Sequence, residues 1–380
     1  MPEAAPPTTE AVQETVRQSL TDGEPLCIVG RGTKSHIGRR LDGLKRLEMS
    51  ALDQVVEYNP AEAILVAQPG LSLRAAEELV AGGNHTLAFE PPHWGAEATL
   101  GGTVACNLSG PRRFKVGALR DHILGVEMVD GHGERIRLGG RVVKNVTGYD
   151  LPKVLSGSFG TLGPLTQVCL RLAPRPETEH TLAVRGQDLE RALALMLELA
   201  ARPDEITGLA YLPAVASEGA RTVARIEGPR PAVAAQLDKL TGDIAADCSV
   251  LTEEESQLLW HDLRELRICR PAPDEQLWRF TLPPSEAAGM LADLGPSQVR
   301  LGAVDWAGGL VWALFPAETA AGALHQAAAA HQGAAWRFAT GPDDPNPEAF
   351  TPLPSGAARL NQMVKQAFDP DGIFCPGRMG

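Results

Sequence analysis

The sequence predicts an α+β protein of two domains, and three observations lead to this prediction. The chain has 380 residues, 44% of them hydrophobic. A chain of this length usually buries its hydrophobic residues in more than one core, and therefore forms more than one domain. Near the start, the segments follow the order β-β-α, which is typical of α+β domains and not of regular β-α-β winding. From about residue 181 a β-α-β-β-α order occurs twice, the second time with a closing strand. We therefore expect a second domain of duplicated βαββαβ, ferredoxin-like halves.

Composition and charge exclude several classes of protein. The chain has 35 Lys+Arg against 47 Asp+Glu, a net charge of -12 that argues against nucleic acid as a partner. Its six cysteines include no C-x-x-C pair, so we expect free thiols, no metal site and no iron–sulfur cluster. No stretch approaches a signal peptide or a membrane span. We expect a cytoplasmic protein that meets a membrane only through partners.

The first domain is predicted to cover residues 21–176, after an N-terminal helix or frayed arm over residues 1–20. Apolar Val12, Val16 and Leu20 recur at helical spacing and predict a helix there. The run "LCIVG" predicts a strand that leads into a glycine loop. "VVEYNP" and "AILVA" predict two more strands.

A helix and a hairpin complete the predicted elements of the first domain. The helix begins at Ser72, a side chain that can cap its N-terminus, and ends near Gly82. Further on, "ILGVEMV" and "ERIRLG" flank a "DGHG" turn and predict a β-hairpin.

The second domain is predicted to cover residues 177–345. "LAVRG", "DLERALALMLELAARP", "ITGLAYLP", "RTVARIEG" and "PAVAAQLDKLTGDI" form the first repeat of strands and helices. The repeat from "LWRFTLPP" to "AAWRFATG" has the same order and adds a final strand. Two unrelated α+β stretches remain the alternative. Residues 346–380, a helix and a Pro/Gly-rich tail, resemble neither half.

Three glycine clusters in the first domain indicate a backbone that lies against a ligand. Glycine has no Cβ and permits positive φ, so clusters mark tight turns or close approaches. The loop from Gly30 to Lys34 offers backbone N–H groups, a hydroxyl and an ammonium to a diphosphate, although a plain turn fits equally well. It has neither the Walker nor the full Rossmann spacing. With Gly101-Gly102-Thr103 and Gly157 to Gly163, the loops indicate one long ligand.

The motifs resemble those of a known family. "TLGGTVACN", "KNVTGYDL", "GSFGTLG" and the terminal "PGRM" occur in the order found in FAD-binding domains of the vanillyl-alcohol-oxidase (PCMH) type. Within that type, the chain resembles the E-type, FAD-binding subunits of bacterial glycolate oxidases over residues 20–175 and 355–380. The resemblance implies a PCMH-type domain of two subdomains, to which the C-terminal tail returns.

The resemblance also implies which residues bind FAD. The family's diphosphate loop matches residues 30–34, and the segment matching residues 99–107 runs beside the ribityl chain and isoalloxazine, where small residues let backbone N–H groups reach the flavin. The implied FAD-binding residues are Gly30, Arg31, Gly32, Thr33, Lys34, Pro69, Gly70, Pro91, Pro92, Thr99, Gly101, Gly102, Thr103, Ala105, Cys106, Asn107, Gly110, Lys144, Asn145, Gly148, Tyr149, Asp150, Gly160, Gly163 and Cys375.

Alternatives remain open for several of these side chains. Lys144 and Asp150 are equally suited to an ion pair that locks a turn. His36 follows the first glycine loop, but "TKSHIG" lacks the arrangement of the family's covalent histidine, so we expect non-covalent FAD. Two positions depart from the family: Cys375 stands where many relatives have Asn, and Pro164 where an aliphatic residue is usual.

The catalytic residues of related 2-hydroxy-acid dehydrogenases have no clear counterpart. Those enzymes carry a C-terminal H-x-G-D-G-N segment, and the corresponding region here is "VDWAGGLVWAL". The later histidines, His261, His325 and His331, form no pair with metal-ligand spacing. His93 and Tyr149 are weak candidates for a catalytic base.

Three functions follow from the resemblance and its departures. The first is a FAD-carrying subunit of a glycolate oxidase complex, beside a D-type flavin subunit that oxidises glycolate to glyoxylate and an iron–sulfur subunit that passes electrons to quinone. The second is a self-sufficient FAD-dependent dehydrogenase of a small 2-hydroxy acid. The third is a structural subunit with an empty, degenerate flavin pocket.

Overall fold

The computed structural model describes residues 3–140, 150–214, 219–244, 247–295, 298–341 and 343–379. The chain divides into two compact units, both of mixed helix and sheet, so the α+β prediction is confirmed. The first unit comprises Met1–Ser109, Ala118–Arg175 and Pro352–Gly380, and the second comprises Gly110–Gly117 and Pro176–Thr351.

The helices and strands of the described residues follow in chain order. The helices are α1 (Thr9–Asp22), α2 (Leu73–Gly82), α3 (Leu100–Cys106), α4 (Arg113–Val116), α5 (Leu151–Leu155), α6 (Leu189–Ala201), α7 (Arg230–Asp243), α8 (Glu253–Arg264), α9 (Ala287–Asp293), α10 (Ala321–Ala330) and α11 (Ser355–Phe368). The strands are β1 (Glu3–Ala4), β2 (Leu26–Val29), β3 (Lys45–Glu48), β4 (Val55–Asn59), β5 (Ile64–Ala67), β6 (His85–Thr86), β7 (Ile123–Val129), β8 (Arg135–Gly139), β9 (Leu165–Arg171), β10 (Ala173–Pro174), β11 (Thr178–Arg185), β12 (Ile206–Leu212), β13 (Arg221–Gly228), β14 (Cys248–Leu251), β15 (Glu275–Thr281), β16 (Arg300–Asp305), β17 (Leu310–Pro316) and β18 (Ala334–Arg337).

Two larger sheets organise the first unit. A three-stranded parallel sheet has the order β1-β3-β2, and a five-stranded antiparallel sheet has the order β4-β5-β9-β7-β8. Helix α1 is part of this unit and not a frayed arm, because Val12 and Val16 are fully buried with Leu26 and Phe374. The predicted separation of residues 1–20 from the first domain is therefore corrected.

The predicted helix cap at Ser72 and the predicted hairpin turn of the first unit are confirmed. The Ser72 side chain accepts a hydrogen bond from the Ala75 N–H at 3.1 Å and caps α2, which ends at Gly82. In the hairpin of β7 and β8, the Asp130 carboxylate accepts from the N–H groups of His132 and Glu134, both at 2.9 Å. Side-chain acceptors at such turns replace backbone hydrogen bonds.

The second unit contains an eight-stranded sheet with the order β14-β11-β13-β12-β16-β17-β15-β18. Each half has the strand order of a ferredoxin-like βαββαβ fold, and the halves join where Tyr211 of β12 pairs with Val304 of β16. The predicted duplication is confirmed. The first half also closes with a strand, β14, and is followed by α8, neither of which we predicted. Residues 110–117 belong to this unit, although the sequence placed them in the first domain.

The C-terminal tail returns to the first unit and completes its parallel sheet. Leu26 N–H donates to the Ile373 carbonyl at 2.7 Å, and Cys375 N–H donates to the Leu26 carbonyl at 2.8 Å. The ammonium of Lys365 donates to the Thr161 carbonyl at 2.6 Å and contacts the buried carboxylate of Asp369. That carboxylate also accepts from the backbone N–H groups that follow it, so it fixes the turn into the tail.

Replacing Lys365 by Met is expected to destabilise the protein by about 3 kcal/mol, because the buried Asp369 carboxylate then has no cation. Urea denaturation followed by circular dichroism measures the free energy of unfolding. Arg359→Met removes the same charge from an exposed position of the same helix and is expected to change that free energy by less than about 0.5 kcal/mol. Equal effects of the two variants would contradict the role assigned to Lys365.

Candidate functional site

The loop after β2 presents backbone donors and a buried cation. The N–H groups of Gly32 and Thr33 donate to no acceptor within the described residues, and Gly32 has φ 73°. Successive free N–H groups in such a loop form a concave binding site for an anion. The guanidinium of Arg31 turns away into an exposed ion pair with Glu97 at 3.1 Å. Residues 30–34 therefore fit the diphosphate of a dinucleotide through the backbone and Lys34.

Lys34 supplies the positive charge of this loop. The side chain is buried, and its ammonium lies 3.4 Å from both the Thr33 hydroxyl and the His93 carbonyl oxygen. The His93 imidazole lies 3.0 Å from a Glu77 carboxylate oxygen on α2. This contact holds the ring that we named as a weak candidate for a base.

The stretch from Thr99 to Cys106 is a short helix packed against other backbone. The Thr99 hydroxyl caps α3 by accepting from the Gly102 N–H at 3.3 Å. A Cβ at Gly30 would overlap the Thr99 hydroxyl, and a Cβ at Gly101 would overlap Pro69. These two glycines allow β2 and the Pro69 segment to approach α3.

The expected contact of backbone N–H groups with the flavin is not supported in this helix. Leu100 N–H donates to the Leu71 carbonyl, Gly101 N–H to the Pro69 carbonyl and Thr103 N–H to the Thr99 carbonyl, at 2.9, 2.8 and 3.1 Å. These donors are satisfied within the protein and are unavailable to a ligand. Gly102 and Ala105 are the partly exposed positions of α3. That face is where a flat ring can approach without meeting a large side chain.

Three further glycines of the predicted site have packing roles. Gly70 packs on the backbone carbonyls of residues 49–52, and a Cβ at Gly163, where φ is 141°, would overlap the Val129 carbonyl. The Gly110 carbonyl accepts a hydrogen bond from the Trp306 indole at 3.0 Å inside the second unit. Pro91 and Pro92 are both buried, as expected for walls.

The loop around Gly160 meets the C-terminal tail. Phe159 N–H donates to the Ala105 carbonyl at 2.9 Å, which places this loop at the end of α3. Gly160 has φ 78°, and a Cβ there would lie 3.4 Å from the Cys375 sulfur. Asn107 ends α3 with φ 50°, and its side-chain oxygen accepts from the Arg120 N–H at 3.2 Å. The glycine loops are thus brought together by α3 and the tail.

The thiols of Cys27 and Cys375 meet at the edge of this site. We did not predict this contact from the sequence. The parallel bridge between Leu26 and Phe374 puts Cys27 beside Cys375 in register. The Cys375 sulfur accepts from the Ile28 N–H at 3.2 Å. A hydrogen bond from Cys375, aided by Arg378 and Arg46 against the effect of burial, lowers the pKa of the Cys27 thiol to about 7. Cys375 retains its proton, because that interaction and burial raise its pKa.

The pKa values of Cys106 and His36 are shifted in directions that keep both side chains uncharged at pH 7. Burial raises the pKa of the Cys106 thiol to about 11. Burial, Lys34 and Arg378 lower the pKa of His36 to about 4, so the imidazole is neutral at pH 7. Its ring centroid lies 5.5 Å from that of Trp94.

Part of the predicted site lies outside the described residues. Lys144, Asn145, Gly148 and Tyr149 belong to that part, including the second candidate for a base. Asp150 is described, and its carboxylate forms an ion pair with Lys153 at 2.7 Å. Within the described residues, no group of three His, Cys, Asp or Glu side chains has the geometry of a metal site. In the same part of the chain, no helix is both long and apolar enough to cross a bilayer.

Comparisons with known proteins agree with this geometry. Residues 3–139 match the family described as FAD binding domain. Alkyldihydroxyacetonephosphate synthase shares the fold, with a TM-score of 0.70 at 15% identity over 98% of this chain and 76% of that one. The chain thus contains a FAD binding domain and shares the overall fold of that synthase.

Similarity to two known proteins identifies the family of this chain more specifically. The chain is 36% identical over 371 residues to glycolate oxidase subunit GlcE of Escherichia coli (strain K12), which covers 98% of this chain and 97% of that protein. It is 29% identical over 320 residues to glycolate oxidase subunit GlcD of Bacillus subtilis (strain 168), covering 77% of this chain and 67% of that protein. The chain belongs to the glycolate oxidase E-subunit family, as the motifs predicted.

The two neighbouring thiols give a pH-dependent chemical signature. Alkylation of Cys27 by iodoacetamide is expected to rise with pH around a midpoint near 7, because the thiolate is the reacting form. Peptide mapping by mass spectrometry measures the rate at each pH. In Cys375→Ala the donor is lost, so the midpoint moves toward the ordinary thiol pKa of about 8.5. Identical profiles in the two proteins would contradict the thiol–thiol hydrogen bond.

Proposed function

We propose that this chain is the FAD-carrying subunit of a glycolate oxidase complex, acting beside a D-type flavin subunit and an iron–sulfur subunit. The observation that carries the proposal is the similarity to GlcE over nearly the full length of both chains. Similarity to a GlcD protein supports a common origin of the two flavin subunits. The oxidation of glycolate to glyoxylate releases two electrons and two protons, which a complex must pass to an acceptor.

The residues described above have distinct tasks in binding FAD. The loop of Gly30 to Lys34 holds the diphosphate, with backbone N–H groups and one ammonium as donors. Gly102 and Ala105 leave space beside α3, and Gly160 lets the adjoining loop approach the tail. When bound, FAD supplies the two-electron acceptor that no protein side chain provides.

If electrons leave the flavin through an iron–sulfur cluster, that cluster belongs to another polypeptide. An iron–sulfur cluster needs a set of thiolate ligands, commonly from closely spaced cysteines. This chain has six cysteines without a C-x-x-C pair, and the neighbouring Cys27 and Cys375 supply two thiols alone. This supports a separate iron–sulfur subunit as the onward carrier.

The visible spectrum of the purified chain tests the proposal. We expect one FAD per chain, no bleaching on anaerobic addition of glycolate, and bleaching once the D-type subunit is added. Bleaching of the isolated chain would make it a self-sufficient 2-hydroxy-acid dehydrogenase. A chain that takes up no flavin would be a structural subunit.

Replacing Lys34 by Met is expected to weaken FAD binding at least tenfold, because a charge-assisted hydrogen bond contributes about 1.5–3 kcal/mol. Titration of the apoprotein with FAD, followed by flavin fluorescence, measures the dissociation constant. Arg40→Met removes one positive charge from an exposed position of the same unit, where Arg40 pairs with Asp42, and is the control. A dissociation constant of Lys34→Met equal to that of the control would contradict the assignment of the diphosphate loop.

A further inference from the structure

A buried arginine in the second unit has no counter-charge. Arg279 of β15 is 6% exposed, and its guanidinium lies between two indoles, 4.5 Å from the Trp336 ring centroid and 5.3 Å from that of Trp306. Within the described residues the guanidinium of Arg279 forms neither an ion pair nor a hydrogen bond. Stacking on indoles stabilises a cation but does not neutralise it.

A second guanidinium increases the positive charge at this place. Arg113 of α4 lies 4.3 Å from the Trp306 centroid, on the indole that Arg279 also contacts. Burial and the charge of Arg113 lower the pKa of Arg279 to about 9, so Arg279 is still charged at pH 7. Two cations that share one aromatic ring in a largely buried environment favour a bound anion.

In the first half of the same sheet, another buried arginine has a carboxylate beside its guanidinium. Arg225 of β13 is also fully buried and lies 4.8 Å from the Trp260 centroid. The Glu227 carboxylate lies 3.5 Å from that guanidinium and 3.3 Å from Arg112. Each half thus buries an arginine against an indole, although on the third strand in the first half and on the first strand in the second. Among the described residues a carboxylate lies against the guanidinium of Arg225, whereas none lies against that of Arg279.

The surroundings of Arg279 are rigid and still reached by solvent. The Trp306 N–H donates to the Asp305 carboxylate at 2.7 Å, and its indole N–H donates to the Gly110 carbonyl at 3.0 Å. Trp306 and Ala307 both have positive φ, near 52° and 57°, so the turn holds the indole in a defined place. No guanidinium nitrogen of Arg279 belongs to the fully enclosed polar atoms without a partner.

We propose that Arg279, with Arg113 and the indoles of Trp306 and Trp336, binds a small carboxylate anion. A carboxylate matches the planar fork of a guanidinium with two parallel hydrogen bonds, and it supplies the charge that Glu227 supplies to Arg225. The choice of a small carboxylate among oxyanions rests on the proposed function, because glycolate and glyoxylate belong to this class. The site requires no flavin for its chemistry.

Calorimetric titration of the full, FAD-loaded chain tests the site with sodium glycolate and sodium acetate, and with chloride and phosphate in separate runs. We expect saturable binding of both carboxylates and at least tenfold weaker binding in Arg279→Met. Arg191→Met removes the same charge from exposed helix α6 of the same unit and is expected to bind like the native chain. FAD content is measured in every sample, so failure of the carboxylate site is distinguished from failure of flavin binding.

The melting temperature gives a second test, which needs less protein than calorimetry if Arg279→Met is difficult to prepare. Removing an uncompensated buried charge is expected to leave the melting temperature unchanged or higher, and to abolish its rise with added glycolate. Arg279→Lys retains the charge but loses the fork, so its affinity falls several-fold. Native binding of phosphate but no carboxylate, or equal affinities in Arg279→Met and the native chain, would overturn the proposal.

Discussion

The first unit depends on the return of the C-terminal tail to strand β2. The backbone of Leu26 forms hydrogen bonds with Ile373 and Cys375 on one side, while β2 pairs with β3 on the other. The buried carboxylate of Asp369 sets the turn that makes this possible, and Lys365 balances its charge. The loop of Gly30 to Lys34, which we propose as the diphosphate loop, leaves β2 beside the tail. The position of that loop is therefore determined by residues more than 340 positions apart in the sequence.

Around this core, the glycines act mainly by allowing backbone segments to touch. Gly30 meets the Thr99 hydroxyl, Gly101 meets Pro69, and Gly163 meets the Val129 carbonyl. A Cβ at any of them forces the neighbouring side chain or backbone to move, at a cost typical of overpacked cores of about 1–3 kcal/mol. A glycine-rich stretch beside a cofactor site thus reports two requirements at once. One is space for the ligand, as at Gly102, and the other is close packing of the walls.

The order of helices and strands could be predicted, because caps and turn sequences mark their ends. Helix α3 could not be predicted in this way. Ser72 and the "DGHG" turn determine their own surroundings, and both were recognised from the sequence. Two adjacent glycines disfavour a helix by about 1 kcal/mol each. In α3 that cost is offset by the Thr99 cap and by hydrogen bonds to the Pro69 and Leu71 carbonyls, which come from tertiary structure. The contact of Cys27 with Cys375 likewise depends on chain topology, so no spacing in the sequence indicates it.

The second unit shows how a duplicated fold acquires different chemistry in its halves. Both halves place an arginine on an inner strand and an indole against it, which is a property of the sheet and its packing. In the first half, the Glu227 carboxylate is shared by Arg225 and Arg112 and offsets part of their positive charge. In the second half, Trp336 of β18 is the cross-strand neighbour of Arg279 and covers its guanidinium with an indole. Because an indole stabilises a cation without cancelling its charge, the cluster around Arg279 keeps a positive charge that attracts an anion, as proposed above.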